Sequence, residues 1–165
     1  MYRILISFPV LLSVALAACQ SAGNKDGAAP PPQTVDPGST VIVTKDFLIP
    51  SGDSAVDFQN AGLYPQGMIR AEYPFCRFNV PAPTAGGQVI HTGKYTVGNV
   101  DYDEKDVGPG GIDVSVTKIQ LQGAGSGVGY HLDCMLPIVA HGARFVTPDE
   151  IEGAVGGYMD IKVAP

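Results

Sequence analysis

The chain has no tryptophan, only three cysteines and three histidines, and few charges: of 165 residues 16% are charged, ten basic against sixteen acidic, for a formal charge of −6. Each shortage excludes something. Clustered Lys and Arg are what neutralise a phosphate backbone and release its counterions, so a nucleic-acid partner has no footing here. The histidines, His91, His131 and His141, stand ten or more residues apart, which leaves no HExxH-type spacing for zinc. No GxSxG elbow is present, and the glycine run Gly123-Ala124-Gly125-Ser126-Gly127-Val128-Gly129 leads into a strand pattern, where a phosphate loop needs a helix N-terminus. Without Trp, an aromatic sugar platform would have to come from Tyr64, Tyr73, Tyr95 and Tyr102, the tyrosines that strand parity leaves for exposure. What the chain does have is 45% hydrophobic residues, 21 glycines and 14 prolines, enough for one compact domain with a core and many short turns.

The first eighteen residues hold one basic residue, Arg3, and an apolar stretch from Ile4 to Ala18 interrupted by Ser7, Pro9 and Ser13. At about 1.5 Å per residue this stretch makes a helix of roughly 22 Å, short of a bilayer crossing. Small residues ahead of Cys19 suit a signal-peptidase pocket. Leu16-Ala17-Ala18-Cys19 resembles the lipobox of bacterial lipoproteins. The resemblance implies a diacylglyceryl group on the Cys19 sulfur, cleavage before Cys19, and acylation of the new amino group. With roughly 0.8 kcal/mol per buried methylene, two or three acyl chains anchor a protein durably without a spanning helix. In the lipoproteins that this segment resembles, the residue after the acylated cysteine influences sorting, and by that resemblance Gln20 in place of Asp implies the outer membrane of the bacterial envelope. Residues 1–18 are therefore read as signal peptide, and their removal makes the remainder one unit more negative.

Residues 19–39 read as the lipidated cysteine and a flexible tether, QSAGNKDGAAPPPQTVDPGS after Cys19, with no apolar periodicity and a Pro30-Pro31-Pro32 run. Residues 40–165 read as the globular domain. Apolar residues there recur with period two in short runs bounded by turn residues, the pattern of antiparallel strands. Val41, Val43, Phe47 and Ile49 share a parity up to Pro50; Val56 and Phe58 follow; Phe75 to Val80 is framed by Pro74 and Pro81. Val89 to Val100 alternates less cleanly. Ile112, Val114 and Val116 change parity to Ile119 and Leu121, which predicts a bulge near Thr117 and Lys118. Tyr130, Leu132, Cys134, Leu136 and Ile138 give the clearest alternation and predict a central strand. Thr147-Pro148-Asp149-Glu150 combines a capping side chain, Pro at the first helical position and Glu at the third, so one short helix starts there and stops near Gly156-Gly157 before a final strand from Tyr158 to Val163. The expected fold is all-β, an antiparallel β-sandwich or small barrel of about seven or eight strands with one short helix near the C-terminus.

With Cys19 assigned to lipid, Cys76 and Cys134 have only each other to pair with in an oxidising compartment. Each shares parity with apolar neighbours, which places the disulfide in the core. The segments IPSG (Ile49 to Gly52), DFQN (Asp57 to Asn60), YPFCRFNVP (Tyr73 to Pro81) and LDC (Leu132 to Cys134) are similar to those of small proteobacterial lipoproteins with such a cysteine pair. That resemblance implies no activity.

Two groups of residues could carry chemistry. Asp101, Asp103 and Asp106, with Asp113 beyond a Gly-rich turn, offer oxygen ligands for calcium, although EF-hand order fails: Asp106 stands where Gly is needed and Ile112 where Glu is needed. The bland alternative is a solvated hairpin loop. His131 and Asp133 share the face opposite Cys134 and could pair, and a hydrolase built on them requires a concave pocket around both. Neither group forms a catalytic signature and no cofactor is called for. The sequence therefore predicts a non-enzymatic, membrane-anchored envelope lipoprotein acting as an interaction or structural module for another envelope protein, the alternative being a ligand- or calcium-binding module using residues 101–113.

Overall fold

The computed structural model describes residues 34–123 and 129–164, with the backbone alone at 104, 105 and 107. Among them run ten strands, β1 (Thr40–Val43), β2 (Phe47–Ile49), β3 (Ala55–Gln59), β4 (Gly62–Pro65), β5 (Phe75–Asn79), β6 (Gln88–Ile90), β7 (Gly93–Val107), β8 (Asp113–Gly123), β9 (Gly129–Pro137) and β10 (Met159–Lys162). Two helices, α1 (Ile138–His141) and α2 (Pro148–Val155), separate β9 from β10. The protein is all-β and antiparallel, as its period-two pattern requires. Eight strands form one curled, half-barrel sheet in the order β10-β1-β7-β8-β9-β5-β3-β4, while β2 and β6 pair as a separate ribbon.

The inner face of the sheet carries the main core. Val41, Val56, Phe58, Phe78, Val97, Ile119, Leu121, Leu132 and Leu136 are all buried there, under Phe47 and Ile49 of the ribbon and Ile151, Ala154 and Val155 of α2. Phe47 sits edge-on to both Phe58 and Phe78, with ring centroids 5.2 Å apart in each case. Cys76 and Cys134 are directly opposite one another on β5 and β9, disulfide-bonded and buried in this core. Helix α2 begins with the capping box read from the sequence. The Thr147 hydroxyl accepts from the Glu150 N–H, and the Glu150 carboxylate accepts from the Thr147 N–H at 3.0 Å. Arg144 adds a two-pronged pair to the same carboxylate, at 2.6 and 2.8 Å, and together these contacts lower the Glu150 carboxyl to about 2. The helix stops at Gly156, and Gly157, at φ 82°, turns the chain into β10.

Four details differ from expectation, each for a physical reason. The change of parity in β8 needs no bulge, because β8 pairs with β9 without a slip from Val114 to Gln122. Val114 and Val116 point outward and are buried all the same, forming a second, smaller core on the outer face with Phe75, Met135 and Ile69. Their inward neighbours are polar but used: Ser115 Oγ donates to the Arg144 carbonyl at 3.0 Å, and Thr117 Oγ1 accepts from the Val146 N–H at 2.9 Å, tying down the approach to α2. The register shifts fall in β7 instead, between Val97 and Val100 and between Asp103 and Asp106. The acidic stretch lies inside β7 rather than in a loop, the turn coming later at Gly108 to Ile112. Finally, β9 ends at Pro137, so Ile138 opens α1, and Val35 is already packed in the main core ahead of Thr40.

Candidate functional site: the outer face and the apolar rim of β4

The outer face is organised by strand parity. Register places Asp57 of β3 beside Arg77 of β5, Arg77 beside Asp133 of β9, Asp133 beside Lys118 of β8, and Lys118 beside Asp101 of β7. The result is a transverse row of alternating charge across five strands, the arrangement that cross-strand pairing favours. Asp57 is fully buried and accepts from Arg77 Nε at 2.7 Å, from Arg77 Nη2 at 3.1 Å and from the Gly67 N–H at 2.6 Å. Two positions along β3, buried Gln59 donates to the Arg70 carbonyl at 2.7 Å and accepts from the Arg70 N–H at 3.0 Å. These two side chains clamp the connection between β4 and β5 onto the outer face of β3, whose inner face is buried in the main core through Val56 and Phe58, so all five residues of the strand are buried.

That connection, with Gly67 on one side, and the β7–β8 turn, with Gly108 on the other, wall a groove of about 540 Å³ whose floor includes Arg77, Asn79, Lys118 and Asp133. Lys118 Nζ is held by Asp103 at 2.9 Å, which raises its pKa. Asp133 accepts one hydrogen bond, from Asn79 Nδ2 at 3.0 Å, and its burial at the groove floor pushes its carboxyl up despite the cations nearby.

The residues singled out from the sequence fall at several separate places in the fold. Asp133 lies in the groove; His131 is exposed alongside it, opposite Asn79 and Gln120, and is not part of the lining. Asp101 accepts from Asn99 Nδ2 at 2.8 Å, Asp103 holds Lys118, Asp106 lines the groove, and Asp113 sits across from Val107. Asp101, Asp103 and Asp106 belong to β7 and Asp113 opens β8, and among the described residues no group of three or more His, Cys, Asp or Glu is arranged to hold a metal ion. His91 pairs with Asp46 at 2.9 Å, at a distance from the others in the chain, and His141 closes α1. Residues 124–128 of the glycine run lie outside the described residues.

A second feature gathers at the edge strand β4. Of the large apolar side chains exposed among the described residues, Leu48, Val89, Tyr64, Met68 and Tyr73 belong to this region, and only Val139 does not. Leu48 and Val89 face each other across the ribbon. Leu48 and Tyr64 line a small apolar recess with Pro50, Leu63 and Pro65, and Tyr64, Met68 and Tyr73 line an open cavity of about 570 Å³ together with the polar Gln59, Asn60 and Arg70. Met68 is 70% exposed. Of the four tyrosines expected at the surface, Tyr64 and Tyr73 are there, while Tyr95 and Tyr102 are half-buried, Tyr95 against Tyr130 and Tyr102 stacked on Phe145 at 4.3 Å.

Among the described residues no helix is long and apolar enough to cross a membrane. Compared with protein-family models, with curated proteins and with solved structures, the chain matches none.

Proposed function

We propose that the protein is a lipid-anchored lipoprotein of the bacterial outer membrane, held through Cys19, whose β domain is a non-enzymatic interaction module that docks on another envelope protein through the rim around β4. The observation that carries this reading is the gathering of Leu48, Val89, Tyr64, Met68 and Tyr73 into one exposed apolar region. Scattered apolar residues are ordinary on a surface, but here two neighbouring recesses share Tyr64, one lined by Leu48 and the other by Met68 and Tyr73, and aromatic and apolar side chains among polar ones are the composition of a contact patch. Gln59, Asn60 and Arg70 supply the polar part of the lining.

The edge of β4 itself is a poor template for an added strand. The strand is four residues long and ends in Pro65, which has no N–H to offer, and the Pro65 carbonyl is taken by the Met68 N–H at 3.1 Å. The partner is therefore engaged by side chains, with an apolar anchor seated among Tyr64, Met68 and Tyr73. The test is in-cell cross-linking of the lipidated chain beside a Tyr64→Ser/Met68→Ser variant, followed by outer-membrane fractionation and mass spectrometry. One reproducible partner, lost from the variant at unchanged abundance, supports docking; the same miscellaneous abundant proteins from both chains contradict it.

A further inference from the structure

The charge row on the outer face has five members, and its two cations are already committed. Arg77 is held by two contacts to buried Asp57, at 2.7 and 3.1 Å, and Lys118 by Asp103 at 2.9 Å. An anion entering the groove would have to displace a carboxylate from one of them. Asp133, between the two, is in the opposite position. Its described hydrogen bond is from a neutral amide, Asn79 at 3.0 Å, and neither cation approaches it within ion-pair distance. Desolvation at the groove floor outweighs the attraction of Arg77, Lys118 and His131 for its charge.

From this geometry we infer that the groove is a binding site for an organic cation, a primary ammonium or guanidinium group, with Asp133 as its counter-ion. The cation would exchange water for a charge-assisted hydrogen bond to a carboxylate already stripped of part of its hydration. The peptide backbone at Gly67 and Gly108 walls the site, and the outer-face core residues Val114 and Met135 give the aliphatic portion of such a ligand an apolar surface to lie on. The source can be a free small cation or a basic side chain of a bound peptide. This inference does not depend on the rim around β4.

The experiment is a titration of the 15N-labelled full chain, followed by its amide resonances, with arginine methyl ester as the free cation, with the blocked tripeptide acetyl-Ala-Arg-Ala-amide as the peptide source, and with acetate as the anion. A cation site predicts saturable shifts at Gly67, Gly108 and Lys118 with a cationic probe and none with acetate. Saturation by the ester alone assigns the site to free cations, saturation by the peptide alone assigns it to a basic side chain, and saturation by both supports a site that takes the cationic group from either source. Asp133→Asn, which keeps a polar group of the same shape, should weaken binding about tenfold or more. Lys118→Met, which removes a competing cation, should strengthen it several-fold, a gain that a purely structural role would not produce. No saturation in the millimolar range, equal shifts with acetate, or unchanged affinity in Asp133→Asn overturns the assignment.

Discussion

Replacing Arg77 by Met should be among the most damaging single changes available outside the main core. Asp57 is 0% exposed and Arg77 18%, so the pair is close to a buried one. Three donors reach the Asp57 carboxylate, two of them from Arg77. Methionine preserves most of the aliphatic stem but leaves a buried carboxylate with the Gly67 N–H alone, a loss of about 3–5 kcal/mol. A domain of this size has about 5–15 kcal/mol of stability in total, so the variant approaches the point of unfolding. Asp57→Asn is milder, about 1–3 kcal/mol, because the amide oxygen can still accept from Gly67 and the orphaned guanidinium is partly solvated beside Asp133. The joint replacement Asp57→Leu/Arg77→Met removes the uncompensated charge and should be more stable than Arg77→Met by itself. Urea unfolding at neutral pH, with the disulfide intact, measures all three through the midpoint at constant slope. A cost for Arg77→Met below about 1 kcal/mol, the range of an exposed ion pair, would refute the reasoning, as would a joint variant whose cost is the sum of its parts.

Other consequences are more quickly stated. Cys76→Ala/Cys134→Ala opens a loop of 58 residues and should cost about 4 kcal/mol in the chain-entropy model, seen as a lower melting temperature; unchanged stability contradicts the bridge. The Glu150 carboxyl is lowered from 4.5 to about 2 in the folded protein, so its contribution is fully present above pH 4.5 and is lost as pH falls toward 2. Glu150→Gln should therefore destabilise at neutral pH by about 1–2 kcal/mol, the value being limited by solvent screening at the half-exposed Arg144 pair, and its melting curve should converge with that of the unaltered chain near the acid end. Cys19→Ala should abolish acylation and release the protein from the membrane fraction, and membrane retention of that variant would contradict a lipid anchor.

Much of the scaffold was legible in the sequence because it is written in local signals. Proline and turn residues frame β5, the Thr147-Pro148-Asp149-Glu150 box starts α2, Gly156-Gly157 ends it, and alternation in Tyr130 to Leu136 marks β9. The outer-face core was not legible, because Val114 and Val116 look out of phase with Ile119 and Leu121 until Ile69 and Phe75 are known to cover them. The same holds for the charge row. Asp57, Arg77, Lys118 and Asp133 are far apart in the chain, and each alone reads as a polar residue on the wet side of a strand; only the registers bring them into line. One signal was present: DFQN places Asp and Gln at alternate positions of a strand whose other residues are apolar, and both are buried because they clamp the following connection. The rim around β4 was half visible, in that Tyr64 and Tyr73 were left for exposure, but their convergence with Leu48, Met68 and Val89 is a product of the tertiary fold.

Docking through that rim is tested most directly by a photo-reactive residue placed at Met68 in the lipidated chain inside living cells, beside the same residue at Val139, which is 93% exposed and equally apolar but lies outside the cluster. The account predicts a discrete adduct from position 68 and none of that mass from position 139. Equal labelling from both positions, or no discrete adduct from position 68, would contradict it.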